Sequence, residues 1–266
     1  MPQQITTQDD FVTWLRDTLP EFSESDIAKV LRYYPVDSIT ESANAVKFAT
    51  NGVSGPSALD QSSFGTGQQQ RADVRELPAA SVPSNYRLAN LNTQNFYAEL
   101  TFVCPSYWMA EAYSGNGRTS YKYEFSTLSG VHGADVGGYF GPLGEVPYLS
   151  TDFQRAFMQI WGNFVTQSNP SIPASVAAGS SNGTATTNVA SQWPVFSVAE
   201  PYQLVLNQTG GQLFTDTSRR MAPVDTTYFV QPGLVNNFTL GNTYTWEGGR
   251  GVRCDFLRSM ADIIPA

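Results

Sequence analysis

Near the N-terminus Phe11, Trp14 and Leu15 fall on one face of a segment that Thr6 or Thr7 can cap, with Asp9 and Asp10 in its first turn and Pro20 after it; a helix is expected. Ser23 then caps a second helix with Asp26 in a capping-box position, Ile27, Val30 and Leu31 at helical spacing, and Pro35 as its stop. Residues 50–93, rich in Gly, Ser, Gln and Asn, read as loop, and Asn95 to Tyr113 as a buried helix bent at Pro105. Strict alternation over residues 119–127 sets Tyr121, Tyr123 and Phe125 on one side of the clearest strand in the chain. Asp152 to Thr166 carries Phe153, Phe157, Ile160, Trp161 and Phe164 as an amphipathic helix. Residues 171–190 read as a surface loop, Tyr202 to Leu206 as a short strand, and Cys254 to Ile263 as a closing helix.

Composition narrows the class. The 266 residues are 41% hydrophobic and 13% aromatic, enough for a core, while only 14% are charged and the net charge is −8. Lysine occurs only at Lys29, Lys47 and Lys122. An acidic chain without a basic cluster repels phosphate backbones, so nucleic acid is not the expected partner. No apolar run reaches the length of a transmembrane helix. Residues 1–10 lack the basic and apolar regions of a signal peptide, yet three glycosylation triplets begin at Asn182, Asn207 and Asn237. Cys104 and Cys254 read either as one long-range disulfide or as two buried thiols; their spacing is not that of metal ligands, and neither metal nor cofactor is expected.

The chemistry-bearing candidate is His132, the sole histidine, in Ser129-Gly130-Val131-His132-Gly133-Ala134-Asp135 directly after the clearest strand. Its unperturbed pKa suits proton transfer near neutrality. Glycines on either side let the backbone turn tightly around the ring, as a general base on a post-strand loop requires. Asp135 reads as a local hydrogen-bond acceptor that holds this loop, or as a plain surface carboxylate. A formal Gly-x-Ser-x-Gly match, Gly179-Ser180-Ser181-Asn182-Gly183, has no strand before it and overlaps a glycosylation triplet, so it is set aside as a nucleophile elbow.

These segments together resemble the C-terminal part of a type-B carboxylesterase, the cholinesterase and fungal-lipase family of α/β-hydrolases. Gly130-x-His132-x-x-Asp135 is similar to the family's histidine motif in its histidine and acidic positions, with the glycine one place closer. Phe102-Val103-Cys104-Pro105 and Cys254-Asp255-Phe256-Leu257 resemble the two segments of a family disulfide, with leucine where tryptophan is common. Trp161-Gly162-Asn163-Phe164 and Asn169-Pro170 resemble the helix and turn after the histidine. The likeness covers most of residues 5–262. It implies an α/β fold in which residues 1–266 are the C-terminal portion of an α/β-hydrolase domain: an incomplete sheet with flanking helices and long loops. It also implies a Cys104–Cys254 disulfide, a secreted glycoprotein, and His132 as general base and then general acid in hydrolysis of a small-molecule or lipid ester.

By the same resemblance the nucleophile, the oxyanion-hole glycines and the triad acid would all precede this chain, and the only Glu-Gly, Glu247-Gly248, lies on the wrong side of His132. One member of a triad cannot build the triad's geometry, so the chain alone is expected to be inactive. A second departure is the stretch 72–94, about twenty residues beyond the family pattern, which reads as a lengthened surface loop, cheap in closure entropy, or as translated intron. Two rivals remain: a cholinesterase-like interaction module without catalysis, and an unrelated β-rich carbohydrate-binding domain. With the upstream strands missing, the face bearing Trp14 and Leu15 is expected to lie uncovered.

Overall fold

The computed structural model describes residues 7–34, 96, 99–127, 135–180, 185–221 and 224–264. Two capped helices come first, α1 (Gln8–Thr18) and α2 (Glu24–Tyr33). Thr7 Oγ1 accepts from the Asp10 amide at 3.1 Å while the Asp10 carboxylate accepts from the Thr7 amide at 3.0 Å. Ser23 and Asp26 make the same reciprocal pair at 3.3 and 3.2 Å. Both boxes satisfy N–H groups that the first helical turn leaves open. Hydrogen bonds from the Ser23 and Lys29 side chains hold the Asp26 carboxyl down at about 2.

A π-helical turn (Glu99–Val103) runs into α3 (Cys104–Ala112), with Pro105 in its first turn, where a missing N–H is harmless. Then follow β1 (Tyr123–Phe125), α4 (Val136–Phe140), α5 (Thr151–Gln167), α6 (Ala174–Ala178), a 3-10 turn (Val189–Gln192), β2 (Tyr202–Met221), β3 (Val224–Asn242), α7 (Trp246–Arg258) and a last 3-10 turn (Ala261–Ile263). The result is a mixed α/β domain: a small open sheet of order β1-β2-β3, parallel then antiparallel, flanked by helices.

Strand alternation divides the molecule into two packed layers. Phe125, Leu204, Leu206 and Phe238 leave one face of the sheet to meet Phe153, Phe157 and Ile160 of α5. Phe125 stacks on Phe157 at 5.6 Å between centroids, and Tyr123 meets the same ring edge-on at 5.5 Å. On the opposite face Gln203 donates to Glu124 of β1 and Lys122 lies over the Tyr107 ring of the second helical layer, in which α1, α2, α3 and α7 pack around Phe11, Leu15, Tyr34, Phe96 and Leu257. Cys104 and Cys254 are bonded, joining α3 to α7 across 150 residues. Leu15 is fully buried and Trp14 packs against Phe96, so the face expected to be uncovered is covered within the chain.

Three expectations need correction. The short strand at Tyr202 is the start of a hairpin whose arms run 20 and 19 residues. Gly210 and Gly211 form a bulge inside the ladder, at φ +75 and +86. A Cβ on Gly211 would sit 2.7 Å from Leu234 Cδ2 and 2.8 Å from the Val230 oxygen, so only glycine fits. Pro232 is tolerated because β3 is the edge strand among the described residues. The stretch 171–190 is not loop throughout: it holds α6 and part of the 3-10 turn and buries Ile172, Ala177 and Ala190. The closing helix begins at Trp246, eight residues before its expected start, in spite of Gly248, Gly249 and Gly251.

Candidate functional site

The strand expected to deliver His132 is present but short. Lys122 O accepts from the Leu204 amide at 2.9 Å and the Ser126 amide donates to Leu206 O at 2.8 Å, which pins the end of β1 against β2. Residues 128–134, with His132, lie outside the described residues, as do Asn182 and the stretch 72–94. The chain is next described at Asp135, directly ahead of α4. Gly138 lets that short helix lie against α5, where a Cβ would come within 2.9 Å of Phe157 Cδ1. Tyr139 adds a ring contact of 4.8 Å to Trp161.

Asp135 takes the Tyr123 hydroxyl as donor at 3.2 Å. Burial and the neighbouring carboxylate push the Tyr123 phenol well above its ordinary pKa, so it stays a donor. The acidic end of the histidine segment is thereby tied back to the strand that leads into it. Val136, Phe140 and Leu143 stand exposed beside it as an apolar rim.

Ser180, the centre of the formal elbow motif, follows α6 rather than a strand. Its hydroxyl and amide both donate to Asp152 Oδ2, at 2.5 and 2.7 Å, near the start of α5. Those hydrogen bonds hold the Asp152 carboxyl below its usual range. Ser180 is a tie between α6 and α5.

The densest charged constellation was not read from the sequence. Arg253 forks onto Glu99 with contacts of 2.6–3.1 Å, and Tyr34 donates to Glu99 Oε2 at 2.7 Å. Arg250 bridges Glu99 at 3.3 Å and Glu124 at 3.4 Å, and Gln203 donates to Glu124 at 2.6 Å. Lys122 Nζ donates to Ser106 Oγ at 3.0 Å and lies 4.4 Å over the Tyr107 ring. Burial drives Lys122 down to about 8 and Glu124 upward. The available signal was the polar phase of the 119–127 alternation, which a half-exposed strand would turn to solvent and this one turns into the second layer. Glu99, Glu124 and Arg250 are at most 3% exposed, so the cluster fastens elements within the core.

The paired acceptors Asn207 and Asn237 lie opposite each other on β2 and β3. A shallow cleft of about 550 Å³, lined by Thr187, Gln192, Glu200, Tyr202 and Leu240 among others, opens at the start of the hairpin. Among the described residues, no group of three His, Cys, Asp or Glu side chains is arranged to hold a metal ion, and no helix is long and apolar enough to cross a membrane. No family model matches the chain, and no curated protein matches it.

Proposed function

We propose that this chain is the C-terminal part of a secreted carboxylic-ester hydrolase, in which His132 is the base that activates a serine and the acid that protonates the leaving alcohol. The nucleophile, the triad acid and the oxyanion donors come from protein beyond this chain, and hydrolysis runs through an acyl-enzyme that water resolves. The observation that carries the reading is the bond between Cys104 and Cys254, the pairing that the two family-like segments imply.

Two further features support it. β1 is parallel to β2, and its Lys122 and Ser126 backbone groups bond toward β2. Peptide groups alternate along a strand, so those of Tyr123 and Phe125 point to the other edge, where no strand lies among the described residues. An edge of this kind can take a further strand, such as the neighbouring strand of a larger sheet. Asp135, at the end of the histidine motif, is anchored by Tyr123, and the apolar rim of Val136 and Phe140 suits the acyl part of an ester.

The test is an assay of the purified chain on p-nitrophenyl butyrate, with sequencing of the genomic DNA 5′ of the Met1 codon. The expected results are no turnover that depends on His132, and an in-frame upstream segment holding Gly-x-Ser-x-Gly and, nearer Met1, Glu-Gly. Turnover by the isolated chain that His132→Ala abolishes, or an upstream sequence lacking both motifs, overturns the proposal.

A further inference from the structure

Two of the three glycosylation triplets fall on one hairpin, and its register sets them against each other. Asn207 on β2 pairs directly with Asn237 on β3. Directly opposed residues of an antiparallel pair project from the same face, with Cβ atoms about 5 Å apart. Thr209 and Thr239, two residues on, project from that face as well. The flanking residues identify it. Leu206 and Phe238 enter the α5 core, the Gln208 amide donates to Tyr148 O at 3.0 Å, and Asn236 donates to Ala177 O at 3.0 Å. All four point to the α5–α6 layer, so both acceptor asparagines point away from it.

The pair is unequal. Asn207 is 4% exposed and its Oδ1 accepts from the Gln208 amide at 2.7 Å, whereas Asn237 is partly exposed. A glycan needs its first sugar ring at the tip of the asparagine, and tips this close cannot both carry one.

We propose that Asn237 is a glycosylation site of the folded chain, and that Asn207 stays unmodified beneath it. The inference rests on the secreted reading above. Transfer forms a bond from Asn237 Nδ2 to the anomeric carbon of the glycan. It breaks that carbon's bond to the pyrophosphate of a lipid-linked oligosaccharide donor; the pyrophosphate departs with the electron pair and one amide proton passes to a base.

The experiment expresses the full chain behind an added secretion leader in yeast, which enforces entry into the secretory pathway whatever its natural location. Glycans are released enzymatically in ¹⁸O-water, and each site is read by peptide mass spectrometry on molecules that carry the Cys104–Cys254 bond. The expected result is label at Asn237 and none at Asn207, with Asn237→Gln failing to move label to Asn207. Label at Asn207, or no label at Asn237 in disulfide-bonded chain, overturns the proposal. Ester hydrolysis is not measured, so failure of the catalytic reading leaves this result standing, and the reverse also holds.

Discussion

Glu99 accepts hydrogen bonds from Arg253 and Tyr34 and pairs with Arg250 while fully buried, so its partners come from α7 and from the residue that caps the end of α2. Glu99→Gln leaves two guanidinium groups facing one remaining carboxylate, and removing one partner of a buried pair costs about 3–5 kcal/mol; urea denaturation should show a loss of that size. Lys122 makes the opposite case. The cluster holds the carboxylates Glu99 and Glu124 against Arg250, Arg253 and Lys122, so Lys122 is the surplus cation. Its pKa in the folded chain lies at about 8, below the ordinary lysine value of 10.5, so between these values Lys122 binds more protons in the unfolded chain and its contribution to stability rises with pH. Below about 8 both states are protonated and the burial penalty is fully present. Lys122→Met should remove the rise, and a stability profile from pH 7 to pH 11 that keeps its slope in the variant contradicts this assignment. Neither residue announced itself: Glu99 sits in a segment of mixed pattern, and the burial of Lys122 and Glu124 depends on helices far away in sequence.

At the scale of elements, local signals were legible wherever local chemistry decides. The capping boxes at Thr7 and Ser23 and the aromatic stripe of α5 are written in neighbouring residues, and the structure forms them where that chemistry requires. The hairpin was illegible because Gly210, Gly211 and Gly233 carry the marks of chain breaks, whereas cross-strand pairing makes them a bulge. Similarly, α6 and the 3-10 turn at Val189 hide within small and polar residues whose burial comes from α5 and β3. Gly211→Ala should therefore destabilise by about 1–3 kcal/mol, from overpacking and a positive φ together. Thermal unfolding that leaves Tm unchanged would show that the bulge relaxes freely.

For the whole molecule, the Cys104–Cys254 bond closes a loop of 150 residues and fastens α3 to α7 beside the Glu99 cluster. In the chain-entropy view a loop of that length contributes about 5 kcal/mol. Cys254→Ser should thus lower the denaturation midpoint sharply, and equal midpoints for oxidised wild type and variant contradict that role. The likeness in the two cysteine segments made this pairing legible, while the edge of β1 that has no neighbouring strand among the described residues appeared only once the strands were paired. His132 lies outside the described residues, and the role proposed for it rests on its sequence setting together with the tie between Asp135 and Tyr123. The most direct measurement is kcat/KM for p-nitrophenyl butyrate with the chain expressed in frame with the upstream coding sequence that the proposal calls for, with His132 intact and as His132→Ala. The expected result is hydrolysis that falls by at least about 10³-fold in the variant, as loss of one triad member does. Equal hydrolysis by the two proteins would contradict His132 as the triad histidine.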